Sequence, residues 1–249
     1  MPRELGRLAS VSAPEAIPVA ARIQMLSTEH WSLLATRALT WNESFSRSSI
    51  FLTTVSGTLI ALALVAQASS FGPVSIGFAL VVLPVTFFLG LATFARLVAV
   101  NREDMLWVQG MNRIRHAYLE LAPDLEPYLV AGWHDDEAGV MTTLGASSGT
   151  HGWYHHVAVT TPGIVAIVDA IVGASAAAMV AIGSGLPVMA AVAVGVGTFL
   201  SVAAALLTYQ RRAFRLPHAL SRVRFPSSPD PLFATDGAVP PFHGDGGHR

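Results

Sequence analysis

Apolar residues dominate four long stretches of the chain, at 50–68, 74–97, 164–182 and 186–207. A bilayer core about 30 Å thick is crossed by about 20 helical residues, and each stretch is of that order. The stretches fall into two pairs. Ser69, Ser70, Phe71, Gly72 and Pro73 separate the first two, and Gly183, Ser184 and Gly185 the last two. Gly and Pro end one helix and permit the next, and Pro187 suits the opening turn of the last one. The pattern therefore predicts an all-α membrane protein with four transmembrane helices arranged as two antiparallel hairpins. Pro84 falls inside the second stretch and removes a backbone donor, so a kink near Leu80 is expected there.

Helical periodicity continues beyond the first pair. Before it, Trp31, Leu34, Ala38, Trp41 and Phe45 recur at steps of three and four, the apolar stripe of an amphipathic helix, with Ser27 as its expected N-cap. After it, Trp107, Met111, Ile114, Tyr118 and Leu121 repeat the spacing until Pro123 stops it. A tight turn makes the first two spans neighbours, so their extensions emerge side by side. The two stripes are expected to bury each other in a helical stalk about 30 Å long. Glu29, His30, Arg37, Asn42 and Glu43 then form a solvated side, on which Glu43 and Arg47 are spaced to pair. The chain divides into a flexible segment 1–22, a first membrane hairpin with its stalk 23–122, an irregular loop 123–162, a second hairpin 163–215 and a tail 216–249. The tail is rich in Pro and Gly without apolar period and is expected to be disordered.

Charge orients the spans. The two hairpin turns carry none, whereas Arg37, Arg47, Arg96, Arg102, Arg113, Arg115, Arg211, Arg212 and Arg215 flank the opposite ends. Arginine accumulates on the cytoplasmic side, which places the stalk, the loop and both termini in the cytoplasm of a multi-pass protein of the inner (plasma) membrane. Composition agrees: 52% of residues are apolar and 12% charged, against about a quarter charged in an average soluble domain. A net charge of −1 offers no footprint for nucleic acid. The absence of Cys removes disulfides, thiolate metal sites and thiol nucleophiles. The first twenty residues hold no continuous apolar run, so the first span is expected to act as the insertion signal.

Asp169 is the one acid inside a span. Intramembrane carboxylates cost roughly 2.5 to 3.5 kcal/mol at mid-helix on insertion scales, which makes Asp169 a candidate ion or proton site. Ala166, Gly173 and Ala176 share its face, and Ala190, Ala193, Gly197, Ser201 and Ala204 form a second small-residue stripe. Both permit close packing within the second hairpin or between protomers. The carboxyl is expected to point into protein, either neutral or bonded to Ser201, Thr208 or a backbone group.

His134, Asp135, Asp136, Glu137, His151, His155 and His156 are the densest set of potential metal ligands, with His151 and His155 spaced for one helical face. Gly152 disfavours a helix there and no H-E-x-x-H is present, so no metal is expected; His134, Asp136, His151 and His155 are the candidates. No G-x-S-x-G, no phosphate-cradling G-x-x-x-x-G-K and no G-x-G-x-x-G after a strand occurs, so neither catalysis nor a cofactor is expected.

The segments EHWSLLATRALTWNESFSR, NREDMLWVQGMNRIRHAYLELAPDLEPY and GWHDDEAGVM resemble a family of uncharacterised actinobacterial four-helix integral membrane proteins, over approximately residues 25–215. The resemblance implies the membrane class and lends no catalytic residue, substrate or cofactor. A stalk feeding a membrane hairpin is also similar in architecture to small membrane effectors of bacterial defence systems. The expected function is a non-enzymatic membrane module that self-associates or docks a cytoplasmic protein through its stalk, at Trp31, Arg37, Trp41, Glu43, Trp107 and Arg113. The alternative is a small oligomeric channel or ion-coupled transporter using Asp169.

Overall fold

The computed structural model describes residues 17–145, 160–215 and 222–227. Among them all regular structure is helical: α1 is Val19–Ala68, α2 Pro73–Leu121, a 3-10 turn follows at Pro123–Tyr128, α3 is Glu137–Thr143, α4 Thr161–Gly183 and α5 Val188–Arg215. Four of these helices, α1, α2, α4 and α5, are long and apolar enough to cross a membrane.

α1 and α2 contain 50 and 49 residues, so each is about 75 Å long at 1.5 Å per residue. Apolar stretch and amphipathic extension are thus one helix in both cases. α1 begins at Val19 after Pro18, upstream of Ser27, which lies inside the helix rather than capping it. α2 runs on through Pro84. In the first connection the left-handed torsions fall on Ser70 and Phe71, at φ 50° and 58°, and not on Gly72. In the second, Gly185 takes φ 86°, the conformation that glycine adopts without steric cost. α4 starts from Thr160, whose hydroxyl accepts the Gly163 N–H and receives a hydrogen bond from Gln210 Nε2 of α5 at 3.0 Å.

α1 packs on α2, α4 on α5, and α2 on α4. Along α1 and α2 the pairings run from the hydroxyls of Thr58 and Thr86, 3.0 Å apart, through Arg37 and Asp104, to Arg22 and Glu120 at 3.7 Å. Phe51, Phe94, Leu97, Val165, Ala166 and Leu206 form a core to which all four long helices contribute. A second core joins Ala79 and Leu83 of α2 to Val172 of α4.

The extension of α2 buries Met111 and Ile114 of its apolar stripe. The extension of α1 turns the other way. Trp31 is 67% and Phe45 57% exposed, and Leu34 and Trp41 are exposed as well. The side of α1 that faces α2 carries Arg37, Thr40, Ser44 and Ser48, the last three buried. Opposite charge decides the rotation, because Arg37 meets Asp104 and Glu43 meets Arg96. The hydroxyls of Thr40 and Ser48 donate to the Thr36 and Ser44 carbonyls of their own helix, so these small side chains are buried without an unsatisfied donor. The expectation that the two stripes bury each other, with Arg37 and Glu43 in solvent, is corrected on that ground.

Candidate functional site

Charged side chains gather where α1 and α2 leave their most apolar stretches. Arg96 donates from Nε and Nη2 to the two oxygens of Glu43, each at 2.9 Å. Its Nη1 reaches Glu103 at 2.8 Å, and Arg47 Nε reaches Glu43 at 2.7 Å, four residues along the helix. The Arg96 hydrogen bonds, with those from Arg47 next, lower the Glu43 carboxyl to about 2. One turn or more beyond, Arg37 grips Asp104 through Nε at 2.7 Å and Nη2 at 3.3 Å, a two-pronged contact that fixes the helices in register. Arg37 and Glu43 therefore hold α1 to α2. Of the aromatic stalk candidates, Trp107 is half-buried and Trp31 and Trp41 are exposed.

Deeper in, Asp169 is fully buried where α4 meets α2 and α1. Gly90 of α2 makes the room: a Cβ there would overlap the Asp169 carboxylate and the Phe51 ring. Neither carboxylate oxygen has a hydrogen-bond partner among the described residues. The expected bond to Ser201 is replaced, because the Ser201 hydroxyl donates to the Gly197 carbonyl of its own helix at 2.7 Å. On the small face of α4, Gly173 lies under the Phe87 ring of α2, and Ala166 belongs to the core that Leu206 of α5 shares. Ala193, Gly197, Ser201 and Ala204 of the other small stripe are exposed. Further along the same helices lies an apolar groove of about 620 Å³ between α1, α2 and α4, lined by Leu62, Ala79, Val172 and Met179, with Thr58 and Thr86 among its walls.

At the far end of α2 a third cluster forms. Gln109 Nε2 donates to the Asp135 carbonyl and Asn112 Nδ2 to the His134 carbonyl, each at 2.7 Å, which fastens the loop before α3 onto the helix. Asp136 caps α3 by accepting the Gly139 N–H at 2.9 Å. Asp135 is fully buried, and Arg113 Nε reaches its carboxylate at 2.7 Å. The segment 222–227, inside the stretch expected to be a disordered tail, lies on this cluster. Asp135 accepts the Arg224 and Phe225 N–H groups at 3.0 and 2.7 Å. Asp136 accepts the Ser227 N–H at 2.8 Å and its hydroxyl at 2.6 Å. Burial raises both carboxyls, but it is outweighed, so both lie below the usual carboxylate range. For Asp135 the lowering comes from Arg113 and the two backbone N–H groups. For Asp136 it comes from Ser227, Gly139 and the charge of His134.

Among the described residues the candidate metal ligands are not assembled into a centre. Asp136 is engaged with Ser227 and Gly139, His151 and His155 lie outside the described residues, and among the described residues no three potential ligands come together. Sequence reasoning placed Asp135 among those ligands and missed its real partners. A partial signal was present, since Asp is a favoured N-cap residue, as Asp136 is for α3, and Arg-x-Arg-Phe-Pro-Ser is a basic and aromatic stretch of the tail. No protein-family model, no curated protein and no solved structure matches the chain.

Proposed function

We propose that the protein is a non-enzymatic, multi-pass module of the plasma membrane that self-associates through the cytoplasmic part of α1. The exposed stripe of Trp31, Leu34, Trp41 and Phe45 carries this reading. Near the bilayer an exposed aromatic belongs to the interfacial belt, as Phe45 does. Trp31 lies about 21 Å further along the helix, where a large apolar side chain in water calls for protein cover. A second copy supplies it, because the membrane holds two copies at the same height and sets stripe against stripe in register. The exposed small-residue face of α5 supports the same reading, as it allows close approach of a neighbouring helix within the bilayer.

The topology belongs to this proposal. The order of pairings along α1 and α2 supports an antiparallel hairpin with cytoplasmic extensions, and the four-residue connection between α4 and α5 supports a second. The placement of Arg puts both termini in the cytoplasm. Changing Trp31 and Trp41 together to Ser is expected to shift the protein in nanodiscs to a smaller species, weakening association at least tenfold, with helix content unchanged. A polypeptide mass equal to that of the wild type would sink self-association through this face. Recovery of a different bound protein at the stripe would make it a docking surface.

A second reading rests on Asp169, a buried carboxyl without a hydrogen-bond partner among the described residues, where three helices meet. It makes the assembly a channel or ion-coupled carrier with Asp169 as the ionisable element. Asp169→Asn is then expected to abolish or retune proton or cation flux in reconstituted vesicles. Wild-type flux no higher than that of empty vesicles removes this reading.

A further inference from the structure

We propose that the cytoplasmic end of α2, together with the loop at 132–136, is a peptide-recognition site whose occupant is this chain's own segment 222–227. It is independent of the α1 stripe and goes beyond the reading given above.

The site is built without help from its occupant. Gln109 and Asn112 hold the Asp135 and His134 carbonyls, and Thr143 donates to Asn112 Oδ1 at 2.9 Å. Arg115 bonds the same oxygen at 2.8 Å, so the amide is fixed in the orientation that serves the loop. Gly132 and Gly139 let the loop fold tightly onto α3, since a Cβ at Gly139 would overlap the His134 carbonyl. This scaffold presents two adjacent carboxylates and one guanidinium, and a partner from about ninety residues further along the chain satisfies them.

The contacts follow the segment in order, and its backbone bends at Arg224 and Phe225 so that two successive N–H groups reach one carboxylate. Arg113 Nη2 donates to the Arg222 carbonyl at 2.6 Å. Asp135 takes the next N–H groups, of Arg224 and Phe225, and its own N–H donates to the Phe225 carbonyl at 3.1 Å. Pro226 follows, the one residue type with no N–H to satisfy. Asp136 then receives the N–H and hydroxyl of Ser227. Two side chains give the site selectivity: the Phe225 ring stacks on His116 with centroids 4.0 Å apart, and the Ser227 hydroxyl meets a carboxylate that would repel an anionic group at that position. The ligand class is a peptide that bends at an aromatic residue followed by a proline and an unmodified serine.

The test uses the full chain in nanodiscs and, as probe, a fluorescent synthetic peptide of residues 221–230. In the wild type the chain's own segment competes. In Phe225→Ala that segment is weakened, so the probe is expected to bind this variant at least tenfold more tightly than the wild type. Adding Asp135→Asn to Phe225→Ala, or placing phosphoserine in the probe at the position of Ser227, is expected to cost at least tenfold. In the wild type, excess unlabelled peptide is expected to speed hydrogen exchange at the protein's own Arg224, Phe225 and Ser227 amides. Absence of saturable binding to a monodisperse, helical Phe225→Ala protein overturns the proposal. So does equal binding by a probe with Ala at both the Phe and Ser positions, or exchange at those amides that does not respond to peptide.

Discussion

Asp169→Ala is expected to stabilise the protein. The wild-type carboxyl is fully buried with no hydrogen-bond partner among the described residues, and a polar group in that condition costs about 1–3 kcal/mol relative to its removal. Truncation leaves a small void beside Gly90, worth about 1 kcal/mol in the other direction. The net gain is about 0–2 kcal/mol, or a rise of up to roughly 8 °C in the unfolding midpoint for a chain of this size. Loss of helical circular dichroism on heating in nanodiscs measures it. A group kept at the expense of stability is the signature of a working site, so a stabilised variant that has lost flux would tie the cost to function. A lower midpoint would show instead that Asp169 gains a stabilising partner in the assembled protein.

The other fully buried aspartate is expected to behave in the opposite way. Asp135 is as inaccessible as Asp169 but accepts from Arg113, Arg224 and Phe225. Removing one member of a buried ion pair costs about 3–5 kcal/mol because the other charge is left behind. Arg113 keeps the Arg222 carbonyl and some solvent access, so Asp135→Ala is expected at the lower limit, about 3 kcal/mol. The loss is local: exchange at the Arg224 and Phe225 amides should rise about a hundredfold, while the amides of the long helices stay protected.

Acid should reproduce it. The folded-state values of Asp135 and Asp136 lie below the ordinary 3.8, so their stabilisation is complete above about pH 3.8 and is lost as the pH falls through the folded values. Around them stand Arg113, Arg222, Arg224, His116 and His134, so protonating the carboxylates leaves only positive or neutral groups facing one another. Release of the segment already between about pH 7 and 5 would assign the docking to groups other than these carboxylates.

How far the sequence reaches depends on whether a feature is carried by one segment or by two. The four long apolar helices are each a property of a continuous run, and a run of about 20 apolar residues is legible wherever it falls. The extensions of α1 and α2 were legible through their period of three and four. Periodicity names a helix's faces and leaves their partners open, and the rotation of α1 was set by Asp104, 67 residues from Arg37. Asp169 stood out as the sole acid of its stretch, whereas Gly90, which makes room for it, looks like any small residue of an apolar helix. Asp135 and Asp136 were counted among potential metal ligands, with no metal expected, and their partners went unread because some are backbone N–H groups and the side chains among them, Arg113 and Ser227, lie far off in sequence.

The unbroken length of α1 has a mechanical consequence. From the start of its apolar stretch to Val19 the helix extends about 46 Å without an interruption at which bending could be absorbed. In the proposed membrane topology, tilting the apolar part by about ten degrees therefore swings the far tip sideways by about 8 Å. The ion pairs of Glu43 with Arg96 and of Arg37 with Asp104 oblige α2 to swing with it. In that topology a change of bilayer thickness, which alters tilt by small angles, is geared up into a displacement of about 8 Å at the other end of the rod.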